Sequence, residues 1–259
     1  MQLARYLLTA LAERPGQPLN ILEVGPGNIS ILLQSIVDCS KMMDVNAEKE
    51  VIRIWFVDPL VPEKHEKISS TDGGLSFLTD KNQFEYAENL EAINLEARLI
   101  KREFNKFLSE DMSGAAYTSS AQEFDFIIMH TVLHELFISA KEAADKYFPR
   151  LFHNLHTLLS NEGILLFADY YYPPYHGTIE SHSFIEDLTK DSQHANAPVA
   201  FLHPEYLLTL LFKREKQKHK MHFKLLADEE AFIRYKKESN IEKGRKFYFI
   251  VLQKAGESR

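Results

Sequence analysis

The stretch from Pro18 to Val37 confines this chain more than any other part of it. A short apolar run, Leu19 to Val24, is cut by Gly25-Pro26-Gly27 and followed by Ile29, Leu32, Leu33, Ile36 and Val37 at helical spacing. A buried strand that passes through a glycine turn into an amphipathic helix is the opening unit of a parallel α/β sheet, because a parallel neighbour is reached only by a long crossover. The carboxylate of Glu23 stands at the end of that strand, two residues before Gly25. Glycines let backbone approach a ligand with no Cβ in the way, and the start of the next helix offers N–H donors. The carboxylate adds an acceptor for hydroxyl or ammonium groups. The run therefore suits a nucleotide-like ligand at a sheet edge.

The rest of the chain repeats the rhythm. Residues 2 to 13 carry Leu3, Tyr6, Leu7, Ala10 and Leu11 at helical spacing, stopped by Pro15-Gly16. Val51 to Val57 is a β-rich run closed by Asp58-Pro59, so a second strand ends on a carboxylate. A polar helix is expected over 83–94, a short strand over 97–100, and a central strand over Phe124 to Met129, whose unbroken apolar run suits a strand covered on both faces. A long helix over 139–159, ended by Asn161-Glu162-Gly163, leads to another buried strand, Ile164 to Ala168. Residues 170 to 216 break the pattern and read as a helical insertion, with helices over 179–190 and 204–216. Two β-rich runs near 222–234 and 246–252 then lie too close in sequence for a crossover and should pair antiparallel. The expectation is an α/β, doubly wound, mostly parallel seven-stranded sheet with a C-terminal antiparallel hairpin, in a single domain over residues 1–259.

Composition excludes several classes. A formal net charge of −7 argues against an extended nucleic-acid surface, since phosphate neutralisation supplies most non-specific affinity. The local basic stretch Lys213 to Lys220 reads as a solvated helix end, with an RNA or anionic-protein contact as its alternative. The apolar part of the first helix ends by Leu11, too short for a bilayer, so no membrane partner is expected. A lone cysteine, Cys39, lies in an apolar helical pattern away from any candidate base and reads as a buried thiol. One cysteine and no cleavage site fit a reducing, cytoplasmic setting.

Four stretches in order resemble the class I S-adenosylmethionine-dependent methyltransferases: Glu23-Val24-Gly25-Pro26-Gly27, Asp58, Arg102-Glu103-Phe104, and Asp125 to Leu136. The resemblance covers roughly residues 18–170 and the terminal hairpin, and it implies a Rossmann-like fold and S-adenosylmethionine as cofactor. It implies that Glu23 meets the methionine ammonium, that Gly25, Pro26, Gly27 and Asn28 admit the cofactor, that Asp58 with Pro59 takes the ribose hydroxyls, and that Glu103 and Phe104 take the adenine. His130 would line the methionine and the reactive methyl. Ile29 stands where the family often has a third glycine, and Glu103 is one methylene longer than the usual acid. A nicotinamide site explains the first motif less well, because its third glycine would fall at Ser30.

For the chemistry, a histidine near neutral pKa could take a proton from a hydroxyl or amine. His130 and His134 flank the end of the fourth strand and are candidate bases; in the resembled family a histidine at the place of His134 often packs or caps instead. Asp169, at the carboxyl end of the fifth strand, is a further candidate base or a loop cap. The spacing of the two histidines also suits a metal, but with the first at a strand end and no third ligand in view, none is assigned. Tyr172-Pro173-Pro174-Tyr175 follows the wrong strand for an amine-holding Pro-Pro motif and reads as a rigid aromatic wall over the acceptor. The expected activity is methylation of an oxygen or nitrogen on a small molecule under a cap at about 170–216. The alternative is a non-catalytic or protein- or RNA-directed methyltransferase fold acting through a partner.

Overall fold

The computed structural model describes residues 2–26, 31–44, 49–59, 68–69, 75–78, 83–86, 93–108, 123–136, 141–171, 184–187, 199–212, 222–226 and 246–255. These fall into two compact units, Met1–Ile128 and Met129–Arg259.

The first unit begins with helix α1 (Gln2–Glu13), which packs against α2 (Ile31–Met42). Strand β1 (Leu19–Val24) follows the residues that end α1, and β2 (Glu50–Val57) pairs with it in parallel, Leu19 opposite Ile52 and Val24 opposite Val57. Strand β6 (Ile93–Ile100) continues the parallel ladder, from Glu50 opposite Ile93 to Val57 opposite Ile100. Strand β7 (Phe124–His130) borders β1 and runs through the division between the units. Its seven residues are buried up to Met129, as a strand with apolar side chains on both faces must be. The core of the unit is made by Leu3, Leu7, Ile21, Leu22, Ile36, Ile54, Phe56 and Phe126, and Trp55 meets Phe124 edge to face at 5.3 Å. Cys39 is wholly buried, and burial pushes its thiol up to about 12.

In the second unit α4 (Lys141–Leu158) leads straight into β8 (Leu159–Tyr171), against which it packs. Strand β12 (Lys246–Lys254) pairs antiparallel with β8, and β11 (Phe223–Leu225) pairs antiparallel with β12. The antiparallel C-terminal pair expected from the sequence is present, with residues 227–234 of its first run outside the described residues. Phe148, Phe152 and Phe167 form the aromatic part of this core, with Phe152 and Phe167 at 5.5 Å. The fold is α/β and Rossmann-like, mostly parallel with an antiparallel C-terminal end, as the alternation of elements requires. Its seven principal strands are joined by a two-residue edge strand, β3 (Ile68–Ser69), antiparallel to β6.

Local structure departs from the sequence expectation in three places. The polar helix expected over 83–94 is instead strand β5 (Gln83–Tyr86), paired antiparallel with β4 (Leu75–Leu78), followed by β6 from Ile93. A few apolar residues at irregular spacing fit either period, and cross-strand pairing decided between them. The helix expected over 179–190 contains strand β9 (Phe184–Asp187), antiparallel to β10 (Val199–Leu202). The insertion is thus helical only in α5 (Pro204–Phe212) among its described residues. The turn expected at Asn161 to Gly163 is absorbed into β8, where Glu162 takes a left-handed backbone with φ of 64°.

Candidate active site

Three neighbouring parallel strands of the first unit end on the residues that the first motifs single out. Gly25 has a φ of 63°, in the left-handed region where a side chain would be strained, and its N–H donates to Val57 O at 2.9 Å. That bond carries the β1–β2 ladder one residue past the strand. Asp58 N donates in the same way to Ile100 O at 3.1 Å, and Arg102 N folds back to Ile100 O at 3.0 Å. Hydrogen bonding therefore aligns the ends of β1, β2 and β6. Glu23 is 1% exposed and Asp58 6%, so two carboxylates are buried at adjacent strand ends. A buried carboxylate is costly unless hydrogen-bonded or paired. Pro26 is buried beside Gly25, and Pro59 is exposed after Asp58. Gly27 and Asn28, with Ile29, lie outside the described residues.

The third motif sits differently. Glu103 opens the one-turn helix α3 (Phe104–Lys106) from an extended backbone without capping it through its side chain, and its carboxylate pairs with Lys106 at 3.6 Å. Both side chains are more than 60% exposed, so the pair adds little stability. Phe104 is buried and stacks on Phe107 with centroids 6.1 Å apart. Of the adenine residues expected from sequence, Glu103 faces solvent and Phe104 faces the core.

The second unit holds the other candidates. His130 ends β7, and burial lowers its pKa from the ordinary histidine value while Asp169 opposes the shift. Thr131 follows with a φ of 52°, an unusual backbone for a β-branched residue. Its N–H is tied to Ala168 O at 2.6 Å and its hydroxyl donates to His130 O at 2.8 Å. The chain then forms a single 3-10 turn, Leu133–Glu135. That turn delivers His134 to Asp169 twice: the backbone N–H donates to Oδ2 at 3.0 Å, and ring Nδ1 meets Oδ1 at 2.6 Å. Asp169 is 1% exposed. Glu135 Oε1 lies 3.9 Å from His134 Nε2.

The structure thus brings His134 and Asp169 into one pair, where sequence had them as separate candidates. His134 lies on the 3-10 turn rather than on an α-helix with His130, so the two histidines do not share a helix face. Among the described residues no three His, Cys, Asp or Glu side chains group as a metal site would. Two contributors escaped the sequence reading. Thr131 gives no sequence signal for its left-handed backbone. Tyr248 sits opposite Asp169 in the β12–β8 register and is 1% exposed; burial, with Asp169 nearby, raises its phenol well above the usual value. An explicit antiparallel register drawn from the terminal strand would have found it. His203 is buried at the start of α5, where its Nδ1 accepts from Glu205 N at 3.3 Å, so it caps that helix. Tyr172 to His176, His182 and the basic stretch 213–220 lie outside the described residues.

No protein-family model and no curated protein matches the sequence. Solved structures similar to the chain include a SAM-dependent methyltransferase from Methanosarcina mazei, at 12% identity and a TM-score of 0.45, covering 96% of this chain and 98% of the other. An arsenic(III) S-adenosylmethionine methyltransferase from Chlamydomonas reinhardtii matches at 14% identity and a TM-score of 0.43, with 92% of this chain and 64% of the other covered. The DszA carbon methyltransferase matches 99% of this chain with 54% of its own length, at 13% identity and a TM-score of 0.45.

Proposed function

We propose that the chain is an S-adenosylmethionine-dependent methyltransferase that methylates an oxygen or nitrogen of a small molecule. The observation that carries this reading is the placement of Glu23, Gly25 and Asp58 at the aligned ends of β1 and β2. Both carboxylates are buried, and the glycine between them is left-handed. The residues fit such a cofactor: a carboxylate for an ammonium, a carboxylate for two ribose hydroxyls, and backbone open to close approach. When bound, S-adenosylmethionine supplies a methyl group on a cationic sulfonium that is already activated for transfer. In this reading Glu23 orients the methionine end and Asp58 with Pro59 fixes the ribose. Gly25 and Pro26 supply the close backbone, and Gly27 and Asn28, outside the described residues, are its expected continuation. Glu103 is a further cofactor position and reaches adenine only by leaving Lys106, whereas Phe104 faces the core. The segment at about 170–216, most of which lies outside the described residues, is the proposed cap over the acceptor.

Calorimetry with S-adenosylmethionine and S-adenosylhomocysteine tests it. Both should bind, and Asp58→Ala should weaken them about 10- to 100-fold, the loss of hydrogen bonds to a charged group. Circular dichroism confirms that the variant is folded. Absence of heat with either ligand on the unaltered chain overturns the reading.

A further inference from the structure

One histidine ties the start of β11 to the end of α4. His156, in the last turn of α4, accepts the backbone N–H of His222 on Nε2 at 3.4 Å, and its ring meets that of Phe223 almost perpendicular, with centroids 5.0 Å apart. The His222 carbonyl in turn accepts from Ala255 N at 2.8 Å, so a single residue joins the helix to the end of β12. Strand β11 is only three residues long, lies at the edge of the sheet and leaves Lys224 and Leu225 exposed. With little burial of its own to hold it, the acceptor at its start matters. That acceptor exists only in the neutral ring that carries its proton on Nδ1. Once Nε2 is protonated, one N–H faces another and the bond is lost.

We propose that His156 is an acid-sensitive latch: neutral, it holds the start of β11 against α4, and protonated, it lets that edge strand peel from β12 while the β8–β12 ladder stays paired. The groups that face the ring give an imidazolium no counter-charge. They are His153 on the same helix, His222 ahead of β11 and Lys254 on β12, and each disfavours a further positive charge. A helix C-terminus otherwise welcomes a cation, but Lys254 Nζ already donates to Leu159 O there at 2.7 Å. Burial first, and then Lys254, hold the His156 pKa below the ordinary histidine value of 6.5. The ladder beyond is better secured. Strand β12 pairs with β8 from Lys246 to Gln253, with Tyr248, Ile250, Val251 and Leu252 buried, whereas β11 pairs only from Phe223 to Leu225. All of these residues belong to the second unit, and the device is independent of the activity proposed above.

Nuclear magnetic resonance of the full chain labelled with 15N tests it. The neutral His156 ring should carry its proton on Nδ1, and the His222 amide shift should titrate with the same pKa as that ring. Amide exchange is then followed as protection relative to the unstructured rate at each pH, at His222 and at Leu226, whose N–H donates to Val251 O. Protection at both should fall about 3- to 10-fold between pH 7.5 and pH 5.5, about 10-fold being the ceiling one unit below the unfolded value. Ile250 and Val251, in the middle of β12, should keep theirs. His156→Gln, whose amide oxygen accepts at any pH, should hold the protection of His222 and Leu226 constant across that range. His156→Lys, cationic throughout, should lower it already at pH 7.5. An Nε2–H tautomer, unchanged protection at His222 and Leu226 in the unaltered chain, or a pH-dependent loss that survives in His156→Gln each overturns the proposal. So does an equal loss at Ile250, which reports unfolding of the unit rather than release of one strand.

Discussion

Asp125 shows how much one buried carboxylate can fix at the start of a strand. It is 5% exposed, pairs with Arg14 at 2.6 Å and accepts from Asn20 N at 2.8 Å, so it joins the end of α1, the start of β1 and the start of β7. Asp125→Ala leaves a backbone donor and a guanidinium without that acceptor. The expected loss is about 2–4 kcal/mol, read from the urea midpoint of the variant. None of this is visible in the sequence, where Asp125 is only the second residue of an apolar run and Asn20 is 105 positions away. Cys39 is the opposite case. Its apolar helical surroundings are local information, and the buried thiol expected from them is the one observed.

At the scale of elements, α4 and α5 are joined by the hydrogen bond from the Tyr206 hydroxyl to Asp145 Oδ1. The bond keeps the phenol protonated: burial first, and then Asp145 and Glu142, raise its pKa. Tyr206→Phe keeps the ring and removes the bond. It should cost about 1–3 kcal/mol, the range for a hydrogen bond to a charged group, and increase amide exchange along α5. Elements with strong internal periodicity were legible: α1 spans Gln2–Glu13 and β7 spans Phe124–His130, close to the sequence bounds. Residues 83–86 and 184–187 were not, because four-residue strands have too few positions to establish a period. They exist as strands only through β4 and β10, partners that no local pattern announces.

For the whole molecule, titration of the half-buried His130 and His156 contributes to the acid side of the stability profile. Burial lowers the pKa of His130, against the pull of Asp169. Burial, then Lys254, lowers that of His156, with His153 and His222 adding to the shift. Unfolding restores both toward 6.5, so below that value the unfolded chain binds more protons than the folded one. Their contribution is complete above 6.5 and is lost as pH falls through the lower folded values. The urea midpoint should therefore fall between pH 7.5 and pH 5.5, and His156→Gln should reduce that fall; an unchanged difference would refute the assignment. What the sequence determined by itself was the alternation of strands and helices, the antiparallel end, and the placing of Glu23, Gly25 and Asp58 at strand ends. All of these follow from short-range periodicity and from glycine and proline punctuation. Tertiary structure alone decided that Asp169 belongs to His134, that Tyr248 lies opposite it, and that Phe104 turns inward. Those relations join residues dozens of positions apart, and they arise from strand register and packing rather than from any neighbour in the chain.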